Sequence, residues 1–288
     1  MSEARTTKGP IQRLLAVNAW LVYMFFYAPI LLLIVFSFNN NENVSIWTTP
    51  SLRWYREMLD NQQVLSALRN SLIVAFASTI IATIMGTMLA LALERYRFRG
   101  RGILDGIAYM PIIIPDVTMG VMLLIFFFQA IGLLQDLFGL DLKTGLGTIT
   151  LAHVAFNISF VAIVVRARLA QFDDTLEEAA ADLYASRWAT FRRVTLPLIA
   201  PGVAGGALLA LTLSLDDVVV TQFVSGQGST TLPVYVFGLV RRGVTPLINA
   251  VSVVMLVASM ALVAISLGLQ RTSSKDEEEE LDVAQIDS

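Results

Sequence analysis

The sequence predicts an all-α polytopic membrane protein with six transmembrane helices. Three observations carry that prediction. Apolar residues make up 56% of the 288-residue chain and charged residues only 15%, against about 25% charge in a soluble domain. Mean hydropathy is +0.68. Six separate stretches each supply most of the roughly 20 apolar residues that a helix needs to cross a bilayer core of about 30 Å. The same composition excludes a water-facing globule and a disordered chain. A net charge of -3 excludes a basic nucleic-acid binder. The lack of Cys removes disulfides, thiolate zinc sites and Cys nucleophiles from consideration.

Taken in order, residues 1–13 form a short polar tail, and the first stretch runs from Leu14 to Phe38 with Pro29 inside. It is too long for a cleavable signal peptide, and no small-residue cleavage site follows it. The second runs from Leu68 to Leu93 and is uncharged after Arg69. The third, Ile103 to Gly132, holds Pro111, Pro115 and Asp116. Each proline removes a backbone donor and bends the helix. The fourth runs from Thr148 to Val165 and carries His153, the sole histidine. Without a second His or any Cys a metal site is not expected, and His153 reads as a polar packing group. The fifth runs from Pro197 to Val224 with Asp216 and Asp217 inside, and the sixth from Pro246 to Gln270. Residues 271–288 form an acidic tail with five consecutive acids from Asp276. It reads as solubilising and disordered.

Lys and Arg set the orientation. With the N-terminus inside, the inner segments hold 14 of the 20 basic residues, so both termini are expected in the cytoplasm. The loop between Asn39 and Ser66 is then external, and its Trp47, Trp54 and Tyr55 read as interfacial aromatic anchors. The internal loop from Arg166 to Leu196 begins with Asp173, Asp174, Glu177 and Glu178 and ends with Arg192 and Arg193. That charge order suits a helix macrodipole. Leu176, Ala179, Ala180 and Leu183 recur at helical spacing, and Trp188 and Phe191 continue the apolar stripe. The loop is expected to form an amphipathic element that lies on the membrane or docks a soluble partner. No G-x-x-x-x-G-K-[ST] phosphate loop occurs, so any ATP would be hydrolysed by a partner, and the chain is not expected to be an enzyme or to bind a cofactor.

The loop from Glu178 to Pro201 resembles the EAA loop of ABC importer permeases, through Glu178, Ala179, Ala180, Asp182, Ala185, Phe191, Leu196 and Pro197. The family pattern has Gly where this chain has Tyr184. Gly permits a positive φ that Tyr resists, so the bend there is expected to differ. The segment LTLSLDDVVVTQFVSG (211–226) is similar to the fifth span of polyamine permeases of the spermidine/putrescine C-type. So are YRFRGR (96–101), Pro115-Asp116, Trp54-Tyr55 and GVTPLINA (243–250). The resemblance covers nearly all of 14–270 and implies the type I importer permease fold. It makes 173–197 the coupling loop, with Glu178, Ala179, Ala180, Asp182, Trp188, Phe191, Leu196 and Pro197 as its ATPase contacts. It also implies a second, related permease subunit, two ATPase subunits and an extracytoplasmic substrate-binding protein.

An Asp at the centre of a span costs about 2.5–3.5 kcal/mol on insertion scales, so Asp116, Asp216 and Asp217 need a reason. Counted along straight helices, Asp116 lies about 20 Å and Asp216 about 27 Å from the inner boundary. Both depths fall in the outer half of the core. Carboxylates there could take the ammonium groups of a passing polyamine, while apolar walls take its methylenes. Asp216 and Asp217 point about 100° apart on a helix, so one of them is expected to face the path. Alternatively, these acids cap a bend or pair with Arg241 or Arg242. Other organic amines or ferric iron remain alternative cargoes. A gradient-driven carrier would also need intramembrane acids but would leave the EAA loop without a role.

Overall fold

The computed structural model describes residues 10–264 apart from 45, 171, 174 and 244. The acidic tail, Asp174, the end of the sixth apolar stretch and the basic residues Arg5, Lys8, Arg271 and Lys275 lie outside the described residues. The described residues are mainly helical, with one isolated β-bridge between Asn39 and Pro50. Among the described residues, six helices are long and apolar enough to cross a membrane. The chain divides into two compact units, one of residues 1–61 and 239–256 and one of residues 62–238 and 257–288.

In the first unit, α1 (Pro10–Ser37) is a 28-residue helix that contains Pro29. Its apolar side chains are largely exposed, as a lipid-facing span requires. The turn after it is built on Asn39, which is 1% exposed. Its Oδ1 accepts the Thr48 N–H at 3.0 Å, its Nδ2 donates to the Ile46 carbonyl at 2.6 Å, and its own carbonyl accepts Trp54 Nε1 at 2.7 Å. Trp54 belongs to the short helix α2 (Arg53–Asp60) and is buried. Tyr55 stacks on Phe38 with ring centroids 5.2 Å apart and bonds the Ser37 hydroxyl at 2.7 Å. These two aromatics therefore hold the loop together and are not free interfacial anchors. Trp47 stays 43% exposed, with its ring edge-on to Phe36.

The second unit is centred on α3 (Gln62–Arg95) and α6 (Leu146–Leu169), with α9 (Leu196–Asp216) packed against both. Small residues let the backbones approach. A Cβ at Gly86 of α3 would lie 2.7 Å from Val161 Cβ and 2.8 Å from the Ile158 carbonyl oxygen of α6. A Cβ at Gly206 of α9 would lie 3.3 Å from Val161 Cα. Val161 is thus held between two glycines.

Two of the expected continuous spans are broken. The third stretch forms α4 (Arg101–Ile113) and α5 (Asp116–Phe138), joined through extended Ile114 and Pro115. Pro115 disfavours the helical region for Ile114 and begins a new helix, whereas Pro111 is tolerated within α4. Laid end to end the two helices would reach about 54 Å, nearly twice a core of about 30 Å. Asp116 is accordingly the first residue of α5, and its depth cannot be counted along a straight rod from Ile103. The fifth stretch forms α9 and α10 (Val219–Val224), broken at Asp217 and Val218.

Between α6 and α9 the chain forms α7 (Thr175–Asp182), α8 (Arg187–Thr190) and a π-turn (Phe191–Thr195) that runs directly into α9. In the π-turn the Leu196 N–H reaches back to the Phe191 carbonyl. This wider turn stands where Pro197 would otherwise crowd the carbonyl four residues earlier. After α10 come α11 (Leu232–Arg242) and α12 (Pro246–Ala264).

Candidate translocation and coupling sites

The acids near the breaks have unlike surroundings. Asp116 occupies the first turn of α5 and is exposed. One turn on, Met119 shares a core with Val220 and Val224 of α10, and Gly120 abuts the Phe223 ring. Asp216, exposed, is the last residue of α9, just before the break that leads into α10. The α5–α10 contact therefore packs the start of α5, which Asp116 opens, against the short helix that follows the break after Asp216.

Asp217 points the other way. Its Oδ2 accepts the Thr221 N–H and the Thr221 hydroxyl, each at 2.7 Å, and its Oδ1 accepts the Val220 N–H at 3.3 Å. It caps the start of α10. His153, wholly buried on α6, lies with Nε2 2.9 Å from Thr221 Oγ1 and 3.3 Å from Asp217 Oδ2. His153 Nδ1 meets Ser214 Oγ of α9 at 2.6 Å, and Ser214 meets Ser78 Oγ of α3 at 3.1 Å. The proton positions follow from chemistry. An ionised Asp217 only accepts, so the Thr221 hydroxyl donates to it, and Thr221 Oγ1 must accept from His153 Nε2–H. One polar chain thus joins α3, α9, α6 and α10.

The candidate coupling element is mostly open among its described residues. Glu178, Ala179 and Asp182 of α7 are exposed, as are Leu196 and Pro197 at the base of α9, while Ala180 is half-buried. Trp188 is 68% exposed and stacks on Phe191 with centroids 5.7 Å apart. Tyr184 adopts φ 59° and is 98% exposed. The Ala185 N–H bonds the Ala180 carbonyl at 3.0 Å, and the Tyr184 N–H bonds that of Ala181 at 2.9 Å. That is a Schellman turn with Tyr in the left-handed position usually given to Gly. The glycine-type bend is kept, contrary to the expectation from residue type. Asp173 accepts the Thr175 N–H at 3.0 Å, and this bond holds its carboxyl below the usual range.

Glu177 is a residue that the pattern did not single out. It faces the bundle: Oε2 pairs with Arg95 Nη1 of α3 at 2.8 Å, and Oε1 accepts the Thr195 hydroxyl. A helical wheel separates it from Glu178 by about 100°, which is enough to send one acid inward and the other outward. That offset was the available signal.

The family described as binding-protein-dependent transport system inner membrane component matches residues 82–276. The chain is similar to the putrescine transport system permease protein PotI of Escherichia coli (strain K12), with 44% identity over 238 residues, 81% of this chain and 82% of that protein. It is similar to the spermidine/putrescine transport system permease protein PotC of Haemophilus influenzae, with 38% identity over 255 residues, 88% of this chain and 95% of that protein. Its fold matches a chain in the crystal structure of a bacterial ABC transporter involved in the import of the acidic polysaccharide alginate. The TM-score is 0.72 at 19% identity, covering 90% of this chain and 94% of that one.

Proposed function

Because the chain belongs to the family of binding-protein-dependent transport system inner membrane components, we propose that its exposed acids line the path of a polyamine cation and that α7 and α8 receive the ATPase. The chain is a multi-pass permease subunit of an ATP-driven importer for putrescine or spermidine, and not an enzyme. Both termini lie in the cytoplasm, with the Arg95, Arg166 and α7 end of the bundle on that side. A second permease subunit, two ATPase subunits and an extracytoplasmic binding protein complete the transporter.

The observation that carries the path assignment is the contrast at the α9–α10 break. Asp217 is consumed by Thr221, Val220 and His153, and Asp216 is left exposed. Asp216 also stands at the C-terminal, negative end of a 21-residue helix, where carbonyl dipoles add to its attraction for an ammonium. Asp116 stands at the positive end of α5, which stabilises the carboxylate and weakens its hold on a cation. The stronger site is therefore Asp216 and the weaker one Asp116. Unequal sites suit a path, since cargo must leave each one. In reconstituted transporter, Asp216→Asn should lower binding-protein-dependent putrescine uptake more than Asp116→Asn, and Asp217→Asn should act through stability. Full uptake by the Asp116→Asn/Asp216→Asn double variant would remove both acids from the path.

A further inference from the structure

The last turn of α3 ends in two oppositely charged neighbours that engage different parts of the bundle. Glu94 Oε1 accepts from Arg166 Nε of α6 at 2.6 Å. Nη1 of the same guanidinium donates to Asp105 of α4 and, at 3.2 Å, to the Tyr109 hydroxyl of α4. Arg95 pairs with Glu177 of α7 and lies 4.6 Å from the centroid of the Phe172 ring. Glu177 also accepts the hydroxyl of Thr195, in the π-turn that begins α9. The charged side chains are between 18% and 38% exposed, so salt screens them less than surface pairs.

These contacts constrain motion in a definite way. An Arg fork held by two acids from two helices fixes both orientation and distance. α4 therefore cannot slide along α3 and α6 without breaking bonds to Arg166. Likewise α7 cannot shift against α3 without breaking the Arg95–Glu177 pair. Glu94 and Arg95 are consecutive residues of one rigid helical turn, so a displacement felt by one is felt by the other. At its far end α4 stops at Ile114–Pro115, the break that sets Asp116 at the head of α5.

We propose that Glu94 and Arg95 form the junction through which displacement of α7 reaches α4 and the Pro115 break, with Glu177 the positioning residue that ties α7 to that junction. This rests on α7 being the ATPase contact. It divides labour between adjacent acids: Glu178 faces the ATPase, and Glu177 passes the movement on. Glu94 and Glu177 pair with different arginines, Arg166 and Arg95, yet both act on stimulated ATP hydrolysis through one helical turn.

The test uses the complete transporter in proteoliposomes, with Glu177→Gln, Glu94→Gln and the charge swap Arg95→Glu with Glu177→Arg. Three readouts are taken: ATPase retained on purification, basal ATP hydrolysis, and hydrolysis stimulated by binding protein loaded with putrescine. Each Gln variant should retain the ATPase and its basal rate while losing stimulation by about tenfold, the scale of one charge-assisted hydrogen bond. The swap should recover stimulation relative to either single reversal. Wild-type stimulation in Glu177→Gln would overturn the proposal. So would loss of the ATPase from that variant, which would make Glu177 part of the docking contact, or a swap no better than its single reversals. If the wild-type chain itself retains no ATPase, the coupling reading of α7 fails, a result distinct from these.

Discussion

Replacing His153 with Leu tests whether the buried polar chain holds the α9–α10 bend. Leu keeps much of the side-chain volume and removes both ring nitrogens. His153 is 0% exposed, so no bulk water replaces the lost bonds. The Nδ1 contact to Ser214 at 2.6 Å is a neutral hydrogen bond worth about 1 kcal/mol. The Nε2 contact to Thr221 and Asp217 ends on a charge and is worth about 1.5–3 kcal/mol. Asp217 keeps the Thr221 N–H and hydroxyl at 2.7 Å, so it is not stranded, and this limits the loss. Hydrogen bonds between membrane helices average nearer 0.6 kcal/mol, which lowers the sum. The expected cost is about 2–4 kcal/mol, measured by equilibrium unfolding of the purified subunit in mixed micelles. Ser214→Ala should cost less and Ser78→Ala less again, because each sits further from the charge. Putrescine uptake by His153→Leu should also fall, since a looser bend no longer fixes Asp216. A His153→Leu subunit within about 0.5 kcal/mol of wild type, the usual spread of neutral surface changes, would refute the reasoning. So would a larger loss in Ser214→Ala.

Gly86→Ala should cost about 1–3 kcal/mol by overpacking, because its Cβ would meet Val161 Cβ and a backbone carbonyl within 3 Å; Gly206→Ala, with its nearest atom at 3.3 Å, should cost less, and unfolding titrations giving the reverse order would contradict the packing. Tyr184→Gly should leave stability unchanged or raise it by up to about 1 kcal/mol, as relief of left-handed strain offsets the entropy of Gly. Tyr184→Pro, fixed near φ -65° and lacking the N–H to Ala181, should break the turn and release the ATPase on co-purification. Asp173 has a depressed carboxyl pKa through the Thr175 N–H, so its stabilisation of the start of α7 is present above the unfolded-state value and is lost as pH falls through the lower folded value. Amide protection at Thr175 should hold from neutral pH down into the ordinary carboxylate range and fall only below it; Asp173→Asn should abolish that dependence, and fraying that begins near neutrality would contradict it.

What the sequence revealed and what it hid divide along a physical line. The six apolar stretches were legible because hydropathy is a local property, and six long apolar helices are present among the described residues. The breaks were not. Across Ile114 and Pro115 hydropathy is continuous, and nothing local distinguishes Pro111, which α4 absorbs, from Pro115, which ends it. The break at Asp217 and Val218 has neither Pro nor Gly. It is stabilised by His153, Ser214 and Thr221, and the His153 contact spans 68 residues of sequence. Trp54 and Tyr55 matched the composition of interfacial anchors, but a single buried Asn39 recruits Trp54 into a loop core. The helical spacing of Leu176, Leu183 and Trp188 was readable, and all three are exposed. The attachment of their loop was not, because Arg95 and Glu177 lie 82 residues apart in sequence.

The placement of charge then follows one rule. In a low-dielectric bundle an acid is tolerated where a partner offsets its desolvation. Glu94, Asp105, Glu177 and Asp217 each have one: Arg166 serves the first two, Arg95 the third, and Thr221 with His153 the fourth. Asp116, Asp216 and Glu178 are exposed and form no ion pair among the described residues. On the proposed function, Glu178 meets the ATPase surface at the α7 end, and Asp116 and Asp216 meet the cation at the two helix breaks. On that proposal, polar groups satisfied within the chain carry force between helices and those left exposed carry recognition, so the adjacent acids at 177 and 178, and again at 216 and 217, are split one to either task.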